Sequence, residues 1–338
     1  MKRYPLIDIF RIFCAFFVVL IHFDPGEATP VAEMMVHCFS RQAVPFFFIV
    51  SGFFFAWKVQ TVDAPKAFVT GYVKKTFLFY GLWVLLHLPQ TIAMYAALYE
   101  GASWIYIALV IVRRAVLAGQ DQFWYVLALA ETALVAGMLL RRNRKKLLYV
   151  IGCIGFVMRF IYDMRFSAPV FGVYYQLWDT VFGWNCNFIM TGIPFFALGV
   201  FFFDHLTALE KLNPAKLTTF YILVSVAAAV CYQPRVWDGR HLVEVVPFYA
   251  LEAVGLFLLG IRAGALGINK KIVTWSRELS TAIYCLHPLA IAYILGEVVP
   301  WSAHLIVNYA VVIAACALFY VIVKMLRIKP LYRLITLK

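Results

Sequence analysis

Ten apolar segments of helical length recur along the chain, separated by short polar stretches. They are 5–23, 43–57, 77–98, 123–140, 147–162, 187–203, 217–232, 245–261, 279–299 and 303–323. Hydrocarbon offers the backbone no hydrogen-bond partner, so a crossing segment must be a helix of about twenty residues or a strand of a closed barrel. The segment lengths therefore predict an all-α, polytopic integral membrane protein with about ten transmembrane helices.

Two further segments have a mixed character. Residues 104–119 are apolar but contain Arg113 and Arg114, which favours an amphipathic helix at the membrane interface, with a re-entrant segment as the alternative. Residues 66–75 are predicted to lead into the third span along the membrane surface. The first span lacks a small-residue cleavage site and contains charged residues, so we expect it to remain in the mature protein.

Composition agrees with this assignment. The 338 residues are 64% hydrophobic and only 14% charged, a balance that a water-soluble domain of this size cannot carry on its surface. No linker, low-complexity tract or soluble extension is recognisable in the sequence. We therefore expect a single membrane domain over residues 1–338.

The distribution of Lys and Arg predicts the orientation. With the N terminus placed in the cytoplasm, 22 of the thirty basic residues fall in inner loops and seven in outer loops, with Arg11 embedded in the first span. Translocated short loops are depleted of Lys and Arg, so this split supports the span count and an N-in, C-in topology. The net charge of +13 is then explained by contact with anionic lipid, and no nucleic-acid partner is expected.

The seven cysteines show no metal-ligand spacing, and no metal site is expected. They are interpreted as small apolar residues that fill space between helices. A disulfide between Cys38 and Cys186 is the alternative for that pair.

Three ionisable residues share the first span: Asp8, Arg11 and His22. Such side chains cost several kcal/mol inside a membrane, so each is a functional candidate. Arg11 and His22 are eleven residues apart, which places them on one helix face about 16 Å apart along the axis. Asp8 lies three residues before Arg11, a spacing at which the two side chains meet. The alternative is an interfacial ion pair with a histidine that caps the helix.

Two later spans carry polar clusters as well. Arg41 opens the second span, and Ser51 and Gly52 fall near its middle, where the alternative role is close helix packing. In the ninth span Pro288 removes a backbone donor and is expected to kink the helix near His287. The alternative for His287 is an interior histidine that is merely hydrogen bonded.

With these residues the chain resembles the acyltransferase 3 family of multispanning membrane acyltransferases, which modify bacterial envelope glycans and some small molecules. The similarity extends in order along nearly the whole chain. Its motifs are Asp8-x-x-Arg11-x10-His22, Arg41-x-x-Val-Pro-Phe-Phe-Phe-x-x-Ser51-Gly52, Phe123-Trp124-Tyr125-Val126, Gly192-Ile-Pro-Phe-Phe-x-x-Gly199 and Leu279-Ser-x-x-Ile-Tyr-x-Leu-His287-Pro288.

The resemblance implies a ten-helix core in the bacterial cytoplasmic membrane that takes an acyl group, usually acetyl, from cytoplasmic coenzyme A to an outer acceptor. His22 is then expected to be the general base or the acyl carrier. Arg11 would bind the donor or polarise its thioester, and Asp8 would orient Arg11.

Other residues are assigned to binding. The donor is expected to contact Ser51 as well as Lys74 and Lys75, where many family members have arginines, although a purely topogenic role is the alternative for these lysines. The acceptor, a glycan or a small molecule, is expected to meet Arg41, Trp124, Tyr125 and His287. Further candidates in the outer loops are Arg165, Asp179, Trp184, Asn185 and residues 235–244.

Two other functions could use the polar stripe that Asp8, Arg11 and His22 form on the first helix. In a transporter it would line a solute or proton path, but no convincing internal repeat is found, which favours the enzyme. In a sensor or scaffold module it would serve regulation, as in family members fused to other domains.

Overall fold

A computed structural model of the chain describes residues 4–23, 34–36, 38–164, 166, 168–183, 185–236, 246–262, 267–295 and 305–337, without the side chains of 121, 232–236 and 305. Helices joined by short turns make up nearly all of this part, and it contains no β-strand. The α-helices are α1 (Pro5–Ile21), α2 (Ala43–Thr61), α3 (Pro65–Leu98), α4 (Trp104–Arg113), α5 (Trp124–Arg141), α6 (Lys145–Met164), α7 (Pro169–Val181), α8 (Ile193–Asp204), α9 (Leu206–Leu209), α10 (Pro214–Val236), α11 (Val246–Arg262), α12 (Lys270–Tyr293), α13 (Leu305–Met325) and α14 (Lys329–Thr336). Short 3₁₀ or π turns cover Phe39–Gln42, Arg114–Ala118, Asp121–Phe123 and Phe188–Gly192.

The all-α prediction is confirmed, and each of the ten predicted segments overlaps one of these helices. Within the described residues, six helices are long and apolar enough to cross a membrane, namely α2, α3, α5, α6, α10 and α13. The chain is therefore a multi-pass helical membrane protein. The number of ten spans and the N-in, C-in orientation stay predictions.

The two segments of mixed character are both helical. Residues 66–75 are not separate from the third span, because α3 is one helix of 34 residues that starts with Pro65 and continues through Pro89. Proline suits the first turn, where its missing N–H has no helical partner. Ser103 caps α4 by accepting a hydrogen bond from the Tyr106 amide at 3.3 Å.

Two compact units can be distinguished within the chain, Met1–Val50 with His205–Lys338, and Ser51–Asp204. In the first unit α1 packs along α12 and also contacts α11 and α13. A Cβ on Gly260 of α11 would lie 2.7 Å from Ile7 Cγ1, so the missing side chain permits this approach. Tyr309 of α13 donates to the Phe16 carbonyl at 3.2 Å. Helix α1 is thus held on several sides.

The start of α1 is fixed separately. The Tyr4 hydroxyl donates to Glu210 Oε1 at 3.0 Å. Burial and the neighbouring Glu210 carboxylate raise the pKa of Tyr4 above its ordinary value, so the phenol stays neutral and remains a donor. This contact fixes the helix one turn before Asp8.

In the second unit, α3 packs on α5, and α6 packs on α8. Gly155 of α6 allows close approach, because a Cβ there would lie 3.1 Å from Pro194 Cγ. Gly52 of α2 faces the backbone of Phe196 in α8 in the same way, with a Cβ only 2.8 Å from the Phe196 carbonyl carbon. The packing role considered for Gly52 is confirmed.

Candidate functional site

The carboxylate of Asp8 lies between two arginines in the first unit. Arg277 of α12 donates to it twice, from Nε at 3.2 Å and from a terminal nitrogen at 3.1 Å. Arg11 forms the expected ion pair with Asp8, but at the longer distance of 3.6 Å. The stronger partner of Asp8 is therefore Arg277, which the sequence analysis treated only as an inner-loop charge.

Arg11 keeps much of its hydrogen-bonding capacity. Its Nε is buried and has no hydrogen-bond partner among the described residues. The side chain retains 27% of its accessible surface. Two guanidinium groups around one carboxylate leave an excess positive charge, and the planar donor fork of arginine suits oxyanions. This end of α1 can therefore bind an anion.

His22 lies just beyond the other end of α1, where it caps the helix through its backbone amide. Its ring faces that of His287 in α12, with centroids 5.1 Å apart and planes tilted by 33°. His22 is exposed, whereas His287 is fully buried. The structure thus brings together two histidines that are 265 positions apart in the sequence.

His287 is oriented by its own helix. Its Nδ1 lies 3.0 Å from the Ile283 carbonyl oxygen. Because a carbonyl oxygen only accepts hydrogen bonds, Nδ1 carries the proton in this contact. Pro288 follows within α12, which continues to Tyr293. His287 is therefore a buried, hydrogen-bonded histidine that also lies beside His22.

The polar stripe predicted for α1 faces a single neighbouring helix, α12. Asp8 and His22 both contact α12, one near each end of α1. Arg41 lies in the turn Phe39–Gln42 of the same unit. A cationic group and an imidazole pair therefore lie about 16 Å apart along one helix axis, as eleven residues require.

The remaining predicted binding residues belong to the second unit. Ser51 Oγ and the Tyr125 hydroxyl are 3.5 Å apart, at the limit of a hydrogen bond. Gly119, with φ at 79°, turns the chain ahead of α5, and a Cβ there would lie 2.9 Å from the Trp124 amide nitrogen. Lys74 and Lys75 are exposed on α3. Of this set, Ser51 and Tyr125 thus approach each other.

Sequence reasoning missed Glu252. It lies in α11 with no exposed surface, and neither carboxylate oxygen has a hydrogen-bond partner of normal geometry among the described residues. Nearby in the same unit, Tyr221 donates to Gln42 Oε1 at 3.0 Å. An acid inside an apolar run was the available signal, because the rule that singled out Asp8 applies equally to Glu252.

Two candidates from the outer loops take part in internal hydrogen bonds. Asn185 donates to Asp163, and Asp179 accepts from Tyr162. Arg159 bonds Asp163 at 2.5 Å and Thr191 at 2.7 Å, so this cluster joins α6 to the chain before α8. Arg165, Trp184, residues 237–245 and the side chain of Arg235 lie outside the described residues.

The cysteines form no disulfide among the described residues; Cys14, Cys38, Cys285 and Cys316 are buried, as expected for apolar fillers, whereas Cys153 and Cys231 are exposed. In the described part of the chain, no group of three or more His, Cys, Asp or Glu is arranged to hold a metal ion.

The fold and this site define a multi-pass, α-helical membrane protein with two arginines around Asp8 near one end of a helix and a histidine pair near the other. Residues 4–325 match the family of acyltransferase domains called acyltransferase 3. The chain belongs to that family.

Two curated relatives, both named amino-acid racemase and both from Enterococcus faecalis, are similar to this chain. One is 27% identical over 232 residues, which are 66% of this chain and 31% of the relative. The other is 24% identical over 332 residues, 91% of this chain and 44% of the relative. The chain thus spans less than half the length of either relative. No solved structure matches the chain significantly.

Proposed function

We propose that the protein moves an acyl group, acetyl in the first instance, from cytoplasmic acyl-coenzyme A to a hydroxyl of an extracytoplasmic glycan or another envelope acceptor. The observation that carries this proposal is the pairing of α1 with α12, which puts an arginine cluster near one end and His22 with His287 near the other. The N-in orientation and the bacterial cytoplasmic membrane are part of the proposal.

The arginine end suits the donor. Coenzyme A carries phosphates at one end of an extended arm and the acyl thioester at the other. A phosphate bound by Arg11 would leave the arm to reach along the helix toward His22, about 16 Å away. Arg11 is a better candidate for phosphate than for the thioester carbonyl, because that distance separates it from the proposed reacting group. Lys74, Lys75 and Ser51 are proposed as further donor contacts.

The histidine end suits the transfer step. His22 would take the proton from the acceptor hydroxyl while the hydroxyl oxygen attacks the thioester carbonyl carbon. The carbon–sulfur bond then breaks, and the coenzyme A thiolate leaves and receives the proton. In the second form of the mechanism His22 itself first carries the acyl group. Arg41 would stabilise developing negative charge near His22. Trp124, Tyr125 and His287 are proposed as acceptor contacts.

The proposal is tested with purified protein in nanodiscs and acetyl-coenzyme A labelled in the acetyl group. We expect the protein to bind the donor and to hydrolyse its thioester slowly when no acceptor is present. With a glycan fragment added, the labelled acetyl group should pass to the glycan faster than it is hydrolysed. Absence of both binding and hydrolysis would refute the enzyme. Gradient-dependent solute uptake by proteoliposomes, without thioester cleavage, would support the transporter instead.

Arg277 is predicted to be a positioning residue for the donor. Its loss in Arg277→Gln removes both short hydrogen bonds to Asp8, so Asp8 is expected to pair fully with Arg11 and withdraw it from the phosphate. We expect KM for acetyl-coenzyme A to rise about tenfold with kcat nearly unchanged. A change of this size corresponds to the loss of roughly one charge-assisted hydrogen bond.

Two variants make this result specific. Arg277→Lys keeps the charge and is expected to recover part of the donor affinity, whereas Lys271→Gln, on the same helix and exposed, should leave KM unchanged. An equal fall in kcat for Arg277→Gln, or an equal rise in KM for Lys271→Gln, would contradict the positioning role.

A further inference from the structure

A cavity of about 650 Å³ lies in the second unit, where four helix ends converge. The residues around it come from the end of α2, the start of α3, the end of α5 and the start of α6. They are Val59, Gln60, Pro65, Lys66, Leu140, Arg141, Asn143 and Lys145. The volume is within the range of about 300–1,000 Å³ typical of sites for small ligands.

The lining of this cavity is cationic. Lys66, Arg141 and Lys145 are the cationic residues of the lining, and none of the lining residues is acidic. Lys145 is paired with Asp204 outside the lining, so Lys66 and Arg141 supply the unneutralised charge. Within the described part of the chain, Lys66 and Arg141 take part in no salt bridge. A cavity with unneutralised positive charge attracts anions, and both lysine and arginine can donate hydrogen bonds to phosphate oxygens.

A helix end adds to this field. The residue before α3 is Ala64, which offers no side chain to cap the helix, and Pro65 and Lys66 of its first turn line the cavity. The amides of an uncapped first turn point out of the helix with partial positive charge, so they favour a negatively charged ligand. This contribution acts together with the three cationic side chains.

Two of the lining residues are hydrogen bonded to Asp204, which does not itself line the cavity. Lys145 and the Tyr149 hydroxyl each donate to Asp204 Oδ2 at 2.7 Å, and Gln60 donates to Oδ1 at 3.3 Å. Two lining residues, Gln60 and Lys145, are thereby held in place. The two cations without a salt-bridge partner, Lys66 and Arg141, remain to meet a ligand.

We propose that this cavity is a binding site for a phosphate ester. The ligand is either a soluble nucleotide or the headgroup of an anionic phospholipid, since both present the same phosphate oxygens. None of the lining residues is among those assigned to the donor, the acceptor or the transfer step of the proposed acyl transfer. If these residues served only to orient the protein in the membrane, the number of basic residues would matter and their identity would not. Ligand binding in this cavity instead requires Lys66 and Arg141 in particular.

The test compares two double variants that each remove two positive charges. Lys66→Gln with Arg141→Gln changes the cavity, and Arg142→Gln with Arg144→Gln changes exposed neighbours that do not line it. Each protein, in uncharged detergent, is titrated with adenosine 3′,5′-bisphosphate by calorimetry, and retention of phosphatidylglycerol is measured by native mass spectrometry. Thermal unfolding of each variant is measured as a control that the protein is folded.

We expect the cavity variant to lose about tenfold or more in affinity, as for two lost charge-assisted hydrogen bonds, while the neighbour variant changes by less than about threefold. Selective loss of nucleotide binding identifies a soluble ligand, and selective loss of lipid retention identifies a headgroup; either supports the site. Equal losses in the two variants, or no binding of either probe by the unaltered protein, would overturn it.

Discussion

His22→Ala is expected to reduce acyl transfer about 10²- to 10⁴-fold, the range that a positioned general base contributes. Donor binding should change little, because Arg11 and Arg277 lie at the other end of α1. The measurement is the rate of acetyl transfer or thioester hydrolysis by purified protein, together with the dissociation constant of coenzyme A.

The matched control is His205→Ala. His205 is an exposed histidine in the turn between α8 and α9, and it has no role in the proposed chemistry. Its replacement is expected to leave the rate within about twofold of the unaltered protein, as for ordinary surface substitutions. The catalytic assignment is wrong if His22→Ala retains full transfer, or if both replacements slow it equally.

His22→Ala also distinguishes the two forms of the mechanism, in which His22 is either a base or the acyl carrier. If His22 carries the acyl group, labelled acetyl-coenzyme A without acceptor should leave label on the protein, and His22→Ala should abolish it. If His22 is only a base, no label should stay bound in either protein. Rapid acid-free quenching followed by mass spectrometry distinguishes these outcomes.

Gly52→Ala is expected to destabilise the protein by about 1–3 kcal/mol, because the added methyl group would enter space already filled by a backbone. Its Cβ would lie 2.8 Å from the Phe196 carbonyl carbon and 3.0 Å from the Phe196 Cα. Neither atom can move away without shifting α8. The melting temperature in detergent should therefore fall, and the adjacent Ser51 should lose its approach to Tyr125.

Gly81→Ala provides the control for helix propensity. Gly81 lies within α3, and a Cβ at this position would meet nothing within 4 Å. Alanine is a better helix former than glycine by up to about 1 kcal/mol, so this variant should be as stable as the original protein or slightly more so. Equal melting temperatures for Gly52→Ala and Gly81→Ala would show that α2 and α8 are not closely packed at Gly52.

The sequence predicted local features well and contacts between distant helices poorly. The spacing of Asp8 and Arg11 predicted their ion pair, which is present at 3.6 Å. The principal partner of Asp8 is Arg277, however, and it is 269 positions away. Helical periodicity reports only which residues share a face, so it cannot identify the residue on a second helix that meets that face.

Other features were missed for different reasons. Glu252 was recognisable as an acid in an apolar run, and the rule used for the first span was not extended to the eighth. The cavity around Lys66 and Arg141 had no such signal. Both residues were counted among inner-loop charges, because only the convergence of four helix ends gives these cations a common concave surface.

The amino-acid sequence by itself determined that the chain is helical, that it belongs in a membrane, and that charged groups in the first helix need partners. These conclusions follow from hydrophobicity, segment length and the cost of burying charge, all of which are local properties. Only the tertiary structure decided that Arg277 engages Asp8, that His287 lies beside His22, and that three cations surround one cavity. Those contacts depend on how helices pack, which is set by the shapes and close approaches of side chains and backbones along their whole length.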